Sequence, residues 1–246
     1  MEGEIKGPFK FFSTDKFGNV FVITPKNDIQ KFDSKGKKIS EANFKVLGDA
    51  TLIDACNPME IYVFFKDQNK LVYFDNMLNF RGETDLYKTL GTTNIQAVCR
   101  SYDNGFWFFD SDNFKLKKAD KQGNLLSESI NISNHIDTIL NPQMLIDDGK
   151  NVYLKTNSNR LMVFDILGNY IKTHVFENFT TFQVRENKLV YSTFHEVFVY
   201  NPLTFAKDSL KLQQYQQIKG HSFLNIRSED DYLLLQDSAK IGIYSF

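Results

Sequence analysis

Cysteine is nearly missing from this chain: Cys56 and Cys99 are the only two among 246 residues, too few and too far apart to read as a disulfide framework. Proline is scarce, and the single tryptophan, Trp107, sits inside an apolar run. No apolar stretch reaches the roughly 18 residues of a membrane-spanning helix. The opening Met1-Glu2-Gly3-Glu4-Ile5 lacks the basic-then-apolar order of a signal peptide. Read literally, that start predicts a cytoplasmic protein. G-x-S-x-G, G-x-G-x-x-G, G-x-x-x-x-G-K, C-x-x-C and H-E-x-x-H are all absent, so no nucleophile elbow, phosphate cradle or local zinc site is legible. The histidines His135, His174, His195 and His221 never fall within four residues of one another. An excess of one charge is lacking too: 29 Lys and Arg face 30 Asp and Glu. Nucleic acid held through its phosphates is therefore not an expected partner.

What the chain does contain is a repeat. Val20-Phe21-Val22-Ile23, Ile61-Tyr62-Val63-Phe64, Phe106-Trp107-Phe108-Phe109, Val152-Tyr153-Leu154, Leu189-Val190-Tyr191 and Tyr232-Leu233-Leu234-Leu235 recur at intervals of 41, 45, 46, 37 and 43 residues. Such a period belongs to a propeller blade or a long solenoid repeat. Eight to ten residues after each run comes a second: Ile29 to Phe32, Leu71 to Phe74, Leu116 to Ala119, Leu161 to Phe164, Val197 to Tyr200 and Ile241 to Tyr244. The runs are short and rich in Val, Ile, Phe and Tyr, which favours strands over helices with apolar positions at i, i+3, i+4 and i+7. Neighbouring positions of the first run are all apolar, as a strand packed on both faces requires. Asp33, Asp75, Asp120 and Asp165 follow the second run, and Gly36, Gly123 and Gly168 come three positions later. A short acceptor side chain folding back on the backbone, with Gly supplying positive φ, predicts a hairpin turn there.

These units predict an all-β chain: a six-bladed β-propeller of four-stranded antiparallel blades in one domain, 1–246. Inner strands are expected at Phe9 to Thr14, Thr51 to Cys56, Ile95 to Arg100, Gln143 to Ile146, Thr181 to Arg185 and Ser222 to Arg227, with polar outer strands such as Lys37 to Ser40 and Asn124 to Ser129. The chain stops at the third strand of the sixth unit, whereas Glu2 to Lys6 precede the first with no blade of their own. An N-terminal strand completing the last blade would close the ring and remove an open edge. The Gln213-Gln214-Tyr215-Gln216-Gln217 stretch reads as a rim strand or long loop.

Candidate chemistry is sparse. Asp110-Ser111-Asp112-Asn113 opens like a calcium loop but lacks the later Gly and Glu, and it occupies a repeated turn. His195-Glu196, Asp147-Asp148 and Glu229-Asp230-Asp231 read as solvated turns. Cys56 and Cys99 read as small buried apolar residues of adjacent inner strands. Neither a cofactor nor a resident metal is read from these residues. The loops between the two runs carry Lys66, Lys70, Lys155, Arg160 and Lys240, which should share one mildly basic face and form a partner-binding surface.

Asp15-Lys16-Phe17-Gly18-Asn19-Val20-Phe21-Val22, Asp147-Asp148-Gly149-Lys150-Asn151-Val152-Tyr153-Leu154 and the echoes Phe32-Asp33-Ser34-Lys35-Gly36 and Phe164-Asp165-Ile166-Leu167-Gly168 resemble blade openings of the NHL and lactonase-like six-bladed propellers. The whole arrangement also resembles small exported propellers of Gram-negative bacteria, which implies a periplasmic or cell-envelope location. Trp107 lies within a strand and Gly220-His221 has no Trp-Asp downstream, so the WD40 signature is not met. The resulting expectation is a non-catalytic protein-protein interaction module, with a finer expectation of an accessory subunit in an envelope secretion or assembly complex. Two alternatives stand beside it. One is a calcium-dependent hydrolase of lactonase type, with Asp54 and Asn225 as channel ligands; the other is a sugar- or peptide-binding propeller.

Overall fold

The structure is a computed structural model that describes residues 3–133, 140–157, 159–210, 224–229 and 232–245. Six four-stranded antiparallel sheets succeed one another along the chain. Blade one holds β2 (Phe11–Thr14), β3 (Val20–Ile23), β4 (Asp28–Phe32) and β5 (Lys38–Asn43). Blade two holds β6 (Ala50–Asp54), β7 (Ile61–Phe65), β8 (Lys70–Phe74) and β9 (Phe80–Asp85), and blade three β10 (Ile95–Arg100), β11 (Phe106–Asp110), β12 (Lys115–Ala119) and β13 (Leu125–Glu128). Blade four is β14 (Pro142–Asp147), β15 (Asn151–Thr156), β16 (Arg160–Asp165) and β17 (Tyr170–Val175). Blade five is β18 (Thr181–Arg185), β19 (Lys188–Ser192), β20 (Val197–Tyr200) and β21 (Lys207–Ser209). The sixth is β22 (Asn225–Ser228), β23 (Tyr232–Gln236), β24 (Lys240–Ser245) and, from the other end of the chain, β1 (Gly3–Lys6).

The expected closure is present: Gly3, Glu4, Ile5 and Lys6 pair antiparallel with Ile243, Gly242, Ile241 and Lys240. Gly7 N donates to Ala239 O at 2.8 Å, Lys240 Nζ reaches Glu4 Oε2 at 3.0 Å, and the buried Ile5 joins the cleft between blades six and one. Gly36 in the last turn of blade one presses against this latch. Its φ is 83°, and a Cβ there would come within 2.7 Å of Glu4 O.

The core is not one mass but six clusters, one in each cleft between neighbouring blades. Alternation along the second strand of each blade explains this, because successive strand residues point to opposite faces. Phe21 and Ile23 face blade two, whereas Val20 and Val22 face blade six. Tyr62 and Phe64 enter the cleft with blade three, and Ile61, Val63 and Phe65 the cleft with blade one. Trp107 and Phe109 face blade four. The blade four to five cleft is the most aromatic, with Tyr153, Phe176, Phe179, Phe182, Tyr191 and Tyr200 packed together.

The repeated Asp turn forms as the spacing predicted. Lys35 N and Lys37 N donate to Asp33 Oδ1 at 2.9 and 2.8 Å, and Leu167 N and Asn169 N do the same to Asp165 at 2.9 and 2.8 Å. In blade two the Gly position is taken by Leu78, at φ 66°. Two features depart from the expectations. A short helix, α1 (Leu86–Leu90), follows β9, capped by Asp85, whose Oδ1 accepts from Lys88 N at 3.0 Å. Cys56 lies beyond β6 and is exposed; only Cys99 is a buried inner-strand thiol, and both are free. The 213–217 stretch, His135, His221, Asp230 and Asp231 fall outside the described residues.

Candidate functional site

The inner strands converge on a central channel, and antiparallel alternation sorts its two mouths. The end where inner strands pass into second strands forms one mouth, here called the upper. It is a cavity of about 210 Å³ lined from all six blades, including Phe11, Asp54, Arg100, Asp147, Gln183 and Arg227. The opposite, lower mouth lies where second strands pass into third strands. It carries Lys10, Gln143, Lys155, Thr181, Asn225 and Gln236. A wider depression of about 420 Å³ continues outward over Asn157, Asn159, Asn178, Thr180 and Phe194.

At the upper mouth the carboxylates are engaged. Asp147 Oδ2 accepts from Ser101 Oγ at 3.0 Å, Trp107 Nε1 at 3.0 Å and Tyr102 N at 3.2 Å, and its Oδ1 accepts from Gly149 N at 2.7 Å. The Asp147 reading as a solvated turn is thus corrected: it ties blade four to the only tryptophan, in blade three. Asp148 is spent on Lys150 N, Asn151 N and the Tyr153 hydroxyl. Glu60 accepts from Lys121 Nζ at 2.8 Å. Arg100 lies flat on Tyr62, its guanidinium carbon 3.7 Å from the ring centroid. Its Nη2 donates to Glu60 O at 2.6 Å, and its Nε stands 3.8 Å from Asp54 Oδ1. The Asp54 charge, with help from the low-dielectric surroundings, pushes the Cys56 thiol up to about 12, which makes it a poor nucleophile despite its exposure. Burial pushes Cys99 well above the usual thiol range.

At the lower mouth Lys155 is the outstanding group. It is 5% exposed, donates to Gln143 Oε1 and places Nζ 5.2 Å from the Phe179 ring centroid. Burial alone draws its pKa down to about 8. Thr181 Oγ1 donates to Asn225 Oδ1 at 3.1 Å, leaving Asn225 Nδ2 buried without a partner.

The other partner-binding candidates sit farther out at the same end of the molecule. Lys66 Nζ donates to Gln96 Oε1 at 2.9 Å, Lys70 pairs with Glu83 at 2.6 Å and Lys240 with Glu4 at 3.0 Å. Arg160 opens β16 opposite Val175. The structure brings only Lys155 to the channel. Asp54 and Asn225, weighed as ligands for one calcium ion, lie at opposite mouths and do not meet. Among the described residues no group of three or more His, Cys, Asp or Glu is gathered for a metal. Asp110 instead organises its turn, accepting from Asn113 Nδ2 at 2.8 Å and pairing with Lys117 at 2.7 Å.

Sequence reasoning passed over Arg100, Arg227 and Asp147 as site residues. A signal was available: Asp54, Arg100, Asp147, Arg185 and Arg227 are charged residues at or one short of the ends of inner strands, four to seven positions ahead of the first apolar run in five of the six units.

No known family's sequence profile matches the chain, and no curated protein matches it by sequence. Solved structures do match in fold. A catalytically inactive virginiamycin B lyase from Staphylococcus aureus, with quinupristin, superposes with a TM-score of 0.66 at 11% identity over 98% of this chain and 95% of that one. The WD40 domain of Neurospora crassa Pan2 gives 0.65 at 9% identity over 98% and 93%. YCF48 bound to D1 peptide gives 0.60 at 12% identity over 97% and 78%. The chain is a six-bladed β-propeller, and its structural neighbours have varied roles.

Proposed function

We propose that this propeller is a non-catalytic protein-interaction module. The observation that carries the reading is an apolar band on the rim of blades three and four. Leu125 and Leu126 on β13, Ile130 just beyond it, and Leu167, Ile171 and Val175 on blade four each expose about half or more of their surface. Ser127 Oγ donates to Leu167 O at 2.5 Å, so the two rims abut and the band is continuous there. Exposed apolar side chains clustered in this way mark protein contacts. Arg160 pairs in register with Val175 at the band's lower edge, so the proposed surface takes in one of the expected basic residues. A place as an accessory subunit of an envelope complex is the finer form of this reading, supported by the resemblance to exported propellers.

The experiment is affinity capture from a membrane-containing bacterial lysate with three baits: wild type, L126E/I171E, and K66E/K70E/R160E. A specific partner held by wild type and lost from the rim variant is expected, with further weakening in the charge-reversal variant. A partner retained by both variants refutes the surface. A second reading, a sugar or peptide ligand at the lower mouth, is favoured by the amides of Gln143, Asn157, Asn159 and Asn178 beside Phe179 and Phe194. A thermal-shift panel of oligosaccharides and short peptides against wild type and N178A tests it, with loss of the shift in N178A expected.

A further inference from the structure

Arg227, the penultimate residue of the inner strand of blade six, is a cation without an anion among the described residues. It makes no hydrogen bond or ion pair with any described residue, and its Nε is buried with no acceptor. Across the same cavity Arg100 Nε is also buried without a hydrogen bond, though Arg100 is paired: Nε lies 3.8 Å from Asp54 Oδ1, Nη1 3.5 Å from Glu60 Oε1, and Nη2 donates to Glu60 O at 2.6 Å beside the Tyr62 ring. Arg227 is half-buried, so its Nε is shielded from water while the rest of its guanidinium borders the cavity without a protein partner among the described residues. No neighbouring carboxylate among the described residues pairs with Arg227. Asp147 and Asp148 are saturated by donors from their own surroundings, and Glu229 Oε1 accepts from Thr14 Oγ1 at 2.5 Å. Asp54 faces Arg100 rather than Arg227. The remaining walls are apolar, with Leu52, Ile53, Ile146 and Val184 among the lining residues. At about 210 Å³ the space falls below that of drug-sized ligand pockets, which start near ~300 Å³.

We propose that the upper mouth binds a carboxylate carried on a small branched apolar group, with Arg227 as its main anchor and Arg100 Nε as a second donor. Guanidinium is the side chain suited to grip a planar carboxylate in a partly dry setting. The four walls just named receive the hydrocarbon. Such a carboxylate has two sources, a free small acid or the C-terminus of a polypeptide ending in an apolar residue. The site is separate from the rim and from the lower mouth and depends on neither.

The test is calorimetric titration and thermal shift of the full chain at low salt with four probes. They are 4-methylpentanoate, 4-methylpentanamide, N-acetyl-Ala-Leu with a free carboxylate, and the same dipeptide as its amide. At least one acid should bind and raise the melting temperature while its amide does neither. R227Q should weaken that acid by about tenfold or more, the scale of a lost charged hydrogen bond. Binding of 4-methylpentanoate supports the site and assigns a free acid; binding of the dipeptide acid alone supports it and assigns a polypeptide end. Unliganded R227Q should melt at or above the wild-type temperature, since it removes a half-buried cation that has no partner among the described residues. The proposal is overturned by equal response to acids and amides, by undiminished binding in R227Q, by no binding of either acid at millimolar concentration, or by a sharp drop in the melting temperature of unliganded R227Q.

Discussion

Single residues at the turns show how spacing becomes geometry. Asp75 accepts from Met77 N and Asn79 N at 2.9 Å each and pairs with Arg81 at 2.7 Å. The Asn79 side chain, then those backbone donors and Arg81, hold the Asp75 carboxyl down at about 2. Because the folded state releases that proton more readily than the unfolded chain, the stabilisation is complete above the ordinary carboxylate pKa near 4. It is lost as pH falls through about 2. Asp75→Ala should therefore cost about 1 kcal/mol at pH 7, with the difference from wild type shrinking between pH 4 and 2 in urea titrations. Lys155 has the opposite bearing. Its folded pKa of about 8 lies below the ordinary 10.5, so the unfolded chain binds the extra proton and stability rises with pH between those values. Lys155→Met should stabilise by about 3 kcal/mol below pH 8, a gain that fades as pH approaches 10.5. Denaturant midpoints measured at pH 7 and pH 10 check this.

At the level of strands and turns, the repeat was readable because the physics of each unit is local. An Asp with Gly three positions on specifies its own hairpin turn, and two-faced apolar runs specify a strand packed between neighbours. Where the local signal weakened, the reading did too. Leu78 replaces the turn glycine and accepts φ 66° because its side chain is buried in the first cleft, 5% exposed. Leu78→Gly should relieve backbone strain yet lose the buried side chain, for a net loss of about 1 to 2 kcal/mol by chemical denaturation. Helix α1 was missed because one turn, capped by Asp85 and ended by Gly91 at φ 66°, has no periodicity to detect. The channel arginines were missed for another reason. Arg100 and Arg227 recur at the ends of inner strands ahead of the apolar runs, but the unmet Nε donors that single them out depend on which groups the ring brings together, and that is not written in the spacing.

On the scale of the ring, every cleft is shared property. Phe21 and Ile23 of blade one have no core without Ile53 and Val63 of blade two, and the last cleft needs Ile5 with Leu234 and Ile241. Deleting residues 1–7 removes a whole strand and its buried isoleucine and exposes the β24 edge. The expected drop in melting temperature is about 10 °C, from a loss of roughly 3 to 4 kcal/mol at this chain length. An unchanged scanning-calorimetry profile would count against the latch. The half-ring fragment 3–133 should likewise show no cooperative transition, because it opens the clefts on both of its flanks and strands β1 without β24.

The register of the latch also sets how the molecule answers to pulling. Gly3 lies opposite Ile243 and Lys6 opposite Lys240, so tension entering through the residues that flank this pair acts at one end of the ladder. The bonds would then break in succession, like a zip, rather than shearing together. A tether attached at both of these positions would open the ring at modest force, whereas one gripping the second strands of two blades would meet far greater resistance.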